Sequence, residues 1–189
     1  NPDLIEKLYS FTGMEMIKNH VDCLLGPGMN IHRHPLNGRN FEYFSEDPFV
    51  TGIMGTAMVK GLRTYGATGT IKHFCANNQE YKRHFADSVV SERALREIYL
   101  KGFEMVVRCG AANSVMTTYG PVNGIWTAGN YDLTTTILRE QWGFEGIVMT
   151  DWWASINESG KEADKVNFAA MVRAQNDLYM VCPDGSTNA

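Results

Sequence analysis

The sequence predicts an α/β fold, a partial (β/α)8 TIM-type barrel in which parallel strands alternate with helices, and three observations carry that expectation. Helix-like and strand-like segments alternate strictly along the 189 residues, a pattern that builds a parallel sheet with helices packed outside it. Loops that follow strands are long and polar, whereas those entering strands are short. No strand runs into the G-x-G-x-x-G turn that marks an open nucleotide-binding sheet. A complete barrel takes about 250 residues, so residues 1–189 are expected to form one partial barrel domain, with roughly three βα units missing at the front.

The elements follow in order. Residues 3–20 suit a helix, with Asp3 as N-cap after Pro2 and Leu4, Leu8 and Phe11 on one apolar stripe. VDCLLG (21–26) is a short apolar run that fits a buried strand. A long loop rich in Gly, Pro, Asn and His ends at Asp47-Pro48, where Asp47 can cap a helix and Pro48 fits its first position. That helix keeps apolar spacing through Phe49, Ile53, Ala57 and Met58 to about Tyr65. Thr68–Phe74 is strand-like, and a polar loop then runs to about Ser91. Residues 92–108 are helical, with Leu95, Ile98, Tyr99, Phe103 and Val106 on one face. Ser114–Thr118 is a strand, residues 132–142 a helix closed by Gly143, and Gly146–Thr150 a further strand. A helix near 163–175 and a strand at Asp177–Val181 complete the alternation.

Composition excludes several classes of function. Hydrophobic residues make up 44% and charged residues 20%, with a net charge of −4. That balance fits a folded globular chain and lacks the concentrated basic face that a nucleic acid or an anionic membrane would require. No apolar run reaches the roughly 20 residues of a membrane span. The segment NPDLIEKLYS has no basic-then-apolar pattern of a signal peptide, so a cytoplasmic location is expected. Cys23, Cys75, Cys109 and Cys182 are far apart and form no C-x-x-C pair. They read as free thiols and not as a zinc site.

A barrel gathers its active site at the C-terminal ends of its strands. There the sequence places Asn30, His32, Arg33, His34, Arg39 and Glu42, then Lys72, His73, Asn77 and Glu80, then Thr118 and Tyr119, then Asp151, Trp152 and Trp153. Charged, amide and hydroxyl groups beside flat aromatic faces suit a neutral polyhydroxylated ligand, whose hydroxyls both donate and accept. A metal is not expected, because His32 and His34 have no carboxylate pair at ligand spacing. No cofactor is expected either. Two questions stay open at this level. An Asp after a strand is often only a turn or cap residue, although two following Trp side chains would help to desolvate Asp151. Lys72 and His73 are adjacent on a strand and should point to opposite faces, so both reach a ligand only if the strand ends or bulges there.

Five ordered segments, GPGMNIHRHPLNGRNFEYFSEDP, IKHFCANNQE, SERALREIYLKGFE, SVMTTYGPVNG and GIVMTDWWA, resemble the barrel domain of glycoside hydrolase family 3, most closely its bacterial β-glucosidase branch. The resemblance runs from about residue 20 to 181. It implies a retaining, exo-acting β-glucosidase that removes terminal β-D-glucosyl residues through a covalent glycosyl-Asp intermediate. Asp151 matches the nucleophile. Arg39, Lys72, His73, Met116 and Tyr119 match residues of the −1 sugar subsite, and Trp152 matches its wall. Arg33 matches a recurrent arginine that supports its loop by pairing with a carboxylate, for which Glu42 is the candidate.

Two expected parts of the family's site fall outside the chain: an upstream Asp that binds sugar hydroxyls, and the general acid/base of a following α/β sandwich domain. The chain by itself is therefore expected to hold an incomplete site, with those domains as its partners. A β-xylosidase and a non-catalytic carbohydrate-binding remnant are the alternatives. The N-acetylglucosaminidase branch carries K-H-F-P-G-H-G where this chain has Lys-His-Phe-Cys-Ala-Asn-Asn, and is disfavoured. An unfinished barrel also exposes strand edges, which makes self-association an expectation.

Overall fold

The computed structural model describes residues 1–180. Its first helix, α1 (Pro2–Lys18), is capped by Asn1, whose side chain accepts from the Leu4 amide. The cap therefore falls two residues earlier than Asp3, because Pro2 has no amide hydrogen to lose and occupies the first turn. The apolar stripe is also displaced. Leu4, Leu8 and Phe11 are exposed, while Ile5, Tyr9 and Met16 pack with α2 (Pro48–Arg63). Glycine decides this. A β-carbon on Gly13 would stand 2.5 Å from the Leu62 carbonyl oxygen, so the two backbones touch there.

The strands β1 (Cys23–Leu24), β2 (Thr68–Phe74), β3 (Ser114–Thr117) and β6 (Ile147–Met149) form one parallel sheet in sequential order. Sequential parallel strands alternating with helices are the sector of a (β/α)8-type barrel. The first strand is shorter than 21–26, because the chain turns at the Gly26–Pro27 segment and rejoins β2 at Gly28, opposite Lys72.

Ile71, Val115 and Val148 lie in register and are fully buried, packed with Phe103, Val106 and Leu138 of the surrounding helices. One residue further along, Lys72, Met116 and Met149 make the opposite row, which faces the barrel interior.

Between β2 and β3 the helical span is continuous in position but not in winding. Glu92–Ala94 (α3) and Lys101–Arg108 (α4) flank a π-wound turn at Leu95–Tyr99. After β3 an antiparallel hairpin, β4 (Pro121–Val122) and β5 (Ile125–Trp126), stands where a plain loop is expected. Asn123 and Gly124 both have positive φ, as a two-residue hairpin turn requires. Asp132–Gln141 is helical and closes at Gly143, which has a φ of 75°.

The last helix, α5, covers only Phe168–Arg173, because Ile156 and Asp164 pair across the loop before it. The expected strand at 177–181 is reduced to one bridge, Leu178 to Met149, and Val181 lies outside the described residues. Cys23, Cys75 and Cys109 are free thiols. No described helix is long and apolar enough to cross a membrane.

Candidate active site

The strand ends bring Arg39, Lys72, His73, Tyr119 and Asp151 to one face. Lys72 and His73 share it because the β2–β3 ladder shifts register between Lys72 and Phe74. The extra residue at such a bulge breaks the alternation of faces. Asn30 then pins His73 at both ends of its backbone unit, donating to its carbonyl and accepting from its amide, each at 2.9 Å.

Asp151 follows β6 and caps no helix. Its Oδ1 accepts from the Trp152 amide at 2.7 Å, its Oδ2 lies 3.7 Å from His73 Nε2, and the Tyr119 hydroxyl donates to the carboxylate. Asp151 and His73 are 6% and 2% exposed. Burial raises the Asp151 carboxyl above the usual range, against the opposing pull of the Trp152 amide, the Tyr119 hydroxyl, Arg83 and Arg39. Burial likewise drives His73 well below the usual imidazole range, with Arg39, Lys72 and Arg83 pushing the same way. Burial thus disfavours charge on both groups and leaves the His73 imidazole neutral. The Tyr119 hydroxyl is pushed up to about 12, by burial first and by the Asp151 charge second, and so remains a donor.

A second carboxylate organises the cations. Glu42 accepts from Arg39 at 2.6–2.7 Å and from Lys72 at 3.0 Å. Burial alone would raise its carboxyl, but the bonds from Lys72 and Arg39 outweigh that and hold it below the ordinary range. The expected pairing of Glu42 with Arg33 is not what forms. Arg33 donates instead to the Tyr99 hydroxyl at 3.2 Å, because Glu42 already spans two nearer cations. Glu80, a third carboxylate, is taken by Arg83 at 2.7 Å and lies 4.0 Å from Arg39.

Met116 is fully buried beside Lys72 in the interior row. Trp152 and Trp153 stand edge to face at the rim, 41% and 48% exposed. His32 is bonded to the Tyr43 carbonyl and His34 Nδ1 accepts from the Leu36 amide, so both are committed to their own loop.

Three members of the cluster were not singled out by sequence. Tyr43 touches His73, Arg83 lies over the Tyr119 ring at 4.5 Å, and His84 packs on that ring with centroids 4.2 Å apart. Tyr43 had a usable signal, since it directly follows Glu42 in a polar loop. Arg83 and His84 had none, because their loop returns to the site only through folding.

The raised Asp151 carboxyl sets a pH dependence of stability. A group whose folded pKa exceeds its unfolded value favours folding when protonated, and that contribution is lost as pH rises through the folded pKa. Asp151→Asn is expected to raise the melting temperature at pH 7, by about 2–4 °C per ~1 kcal/mol relieved. The gain should shrink as the pH falls below the carboxylate range. Thermal melts at both ends of that range check this, and no gain at neutral pH would mean that burial does not penalise the charge.

The family description "Glycosyl hydrolase family 3 N terminal domain" matches residues 1–188. A β-glucosidase of Ruminococcus albus is 70% identical over 189 residues, covering 100% of this chain and 20% of that protein. An exo-α-(1→6)-L-arabinopyranosidase of Bifidobacterium breve is 47% identical over 154 residues, 82% of this chain and 20% of that protein. The crystal structure of a β-glucosidase from Paenibacillus barengoltzii superposes with a TM-score of 0.97 at 60% identity, over 100% of this chain and 21% of that one. The chain thus spans about a fifth of the length of the curated relatives it matches.

Proposed function

The chain belongs to glycosyl hydrolase family 3, and from that premise we propose that it forms the nucleophile side of a retaining β-glucosidase site. The observation that carries this reading is the Asp151 carboxylate. It is buried, held by the Tyr119 hydroxyl and the Trp152 amide, and set opposite a neutral His73. Asp151 attacks the anomeric carbon of a β-glucoside, the bond to the leaving oxygen breaks, and a glycosyl ester forms through an oxocarbenium-like transition state. Water then attacks the same carbon and frees Asp151. Arg39, Lys72 and His73 bind sugar hydroxyls, Tyr119 steadies the nucleophile, Met116 forms floor, and Trp152 gives the ring an apolar face.

The reaction also needs a carboxyl about 5–5.5 Å from the nucleophile to protonate the leaving group and later activate water. Glu42 is engaged by Arg39 and Lys72 and held below the ordinary range, so it is not suited to donate a proton at neutral pH, and Glu80 is taken up by Arg83. We place the proton donor outside the described residues, on a part of the polypeptide corresponding to the greater length of the relatives.

Glucose as the sugar is supported by the 70% identical β-glucosidase. The more distant arabinopyranosidase indicates that related sites read other pyranoses, and the xylosidase alternative has no comparable support. Incubating the full-length protein with a 2-deoxy-2-fluoro-β-glucoside should inactivate it and leave the sugar on the peptide that contains Asp151. A label on any other carboxylate rejects the assignment, and binding of gluconolactone with neither labelling nor turnover would favour a carbohydrate-binding remnant.

A further inference from the structure

Behind the sugar-facing surface, Glu80, Asn77, Tyr43 and His73 form a hydrogen-bond chain, and the far side of the His73 ring faces Asp151. The direction of these bonds follows from the chemistry of the Glu80 end. Glu80 is ion-paired with Arg83 and lies near Arg39, so its carboxylate can only accept. Asn77 must therefore turn its NH2 group toward it, and Nδ2 lies 2.9 Å from Glu80 Oε1. The same nitrogen is 2.8 Å from the Tyr43 hydroxyl oxygen and can only donate there.

With its oxygen occupied as an acceptor, Tyr43 has one hydrogen left to place, and His73 Nδ1 lies 3.2 Å away. A neutral imidazole that accepts at Nδ1 carries its proton on Nε2. That nitrogen is the one facing Asp151 Oδ2 at 3.7 Å. Tyr43, His73 and Asn77 are all buried, so bulk water does not compete for these bonds, and a misdirected donor would be left unpaired at full cost.

We propose that Tyr43 and Asn77 are positioning residues that fix His73 in the Nε2–H tautomer, so that one oriented N–H faces the nucleophile and the sugar hydroxyl beside it. The sugar part rests on the glycosidase reading, whereas the tautomer does not. The opposite tautomer would aim a nitrogen lone pair at a carboxylate, and an imidazole held in the wrong tautomer is known to cripple catalysis. The low imidazole pKa agrees with this arrangement, because burial and the three nearby cations, Arg39, Lys72 and Arg83, keep the ring neutral.

The test is long-range 1H–15N correlation on 15N-histidine-labelled protein, with the His73 signals identified by their loss in His73→Gln. At neutral pH the wild type should show a bare Nδ1 and a protonated Nε2. A protonated Nδ1, or rapid exchange between tautomers, overturns the proposal. Tyr43→Phe removes the hydroxyl donor but keeps the ring, and should mix the tautomers while lowering kcat about tenfold, with KM within about twofold, as expected for one lost hydrogen bond. Unchanged tautomer and kcat in that variant count against the relay. Asn77→Asp replaces the donor by an acceptor of equal size and should drive His73 to Nδ1–H; if it does not fold, the wild-type and Tyr43→Phe spectra decide. The tautomer is read without substrate. A bare Nδ1 in a protein with no glucoside turnover would therefore sink the glycosidase reading alone, and turnover with a protonated Nδ1 would sink the relay alone.

Discussion

Replacing Asp151 by alanine is expected to lower kcat toward β-glucosides by roughly four to six orders of magnitude, the scale seen when a covalent nucleophile is deleted. The remaining groups cannot substitute for it. His73 is neutral and buried, Glu42 is committed to Arg39 and Lys72, and Glu80 to Arg83. The fold should survive, because the lost carboxylate was destabilised by burial in the first place, which offsets part of the cavity and the unpaired donors left behind. Circular dichroism unchanged within error, beside kinetics collapsed by that factor, is the expected pair of results. The variant also allows a stereochemical check. Added azide should enter the vacated space, attack the anomeric carbon from the nucleophile's side and give the α-glucosyl azide. A kcat within about tenfold of the wild type, or a rescued product of β configuration, would remove Asp151 from the role.

The barrel was legible because alternation of periods is a property of whole segments, and errors of two or three residues do not change it. The elements that slipped did so for local reasons. In α1 the sets Leu4, Leu8 and Phe11 and Ile5, Tyr9 and Met16 both carry helical apolar spacing. Spacing alone cannot choose between them. The choice was made by Gly13 and Gly61, whose missing side chains let α1 and α2 touch, and apolar counting gives glycine no weight. The β4–β5 hairpin had a signal in Asn123-Gly124, but its two-residue strands are too short to show alternation. In the site, Asp151, Arg39, Lys72, His73 and Tyr119 were each nameable from their segments. Their pairings were not, because a loop residue such as Glu42 chooses among cations from different elements according to distance, and distance is set by the packed sheet. The bulge that turns Lys72 and His73 to one face was likewise open in sequence, since strand alternation predicts the contrary.

Glu42 carries the second large effect. Its carboxylate bonds Arg39 through one oxygen and Lys72 through the other, and so fixes both of the cations proposed to bind sugar with a single group. Glu42→Gln keeps the shape but turns one acceptor oxygen into a donor and removes the charge. Either Arg39 or Lys72 then faces an N–H in place of an oxygen and must swing away. Each charged hydrogen bond is worth about 1.5–3 kcal/mol, and the partial exposure of all three side chains discounts that. A fall in kcat/KM of about a hundredfold is the expected net result, shared between KM and kcat because the bonds to sugar hydroxyls tighten in the transition state. The pH profile separates this clamp from a general acid. If Glu42 only holds the cations, the basic limb of kcat/KM persists in Glu42→Gln at its wild-type position, since the proton donor lies elsewhere. Loss of that limb, with activity restored selectively on substrates whose leaving groups need no proton, would instead make Glu42 the acid and overturn the division of labour between the three carboxylates.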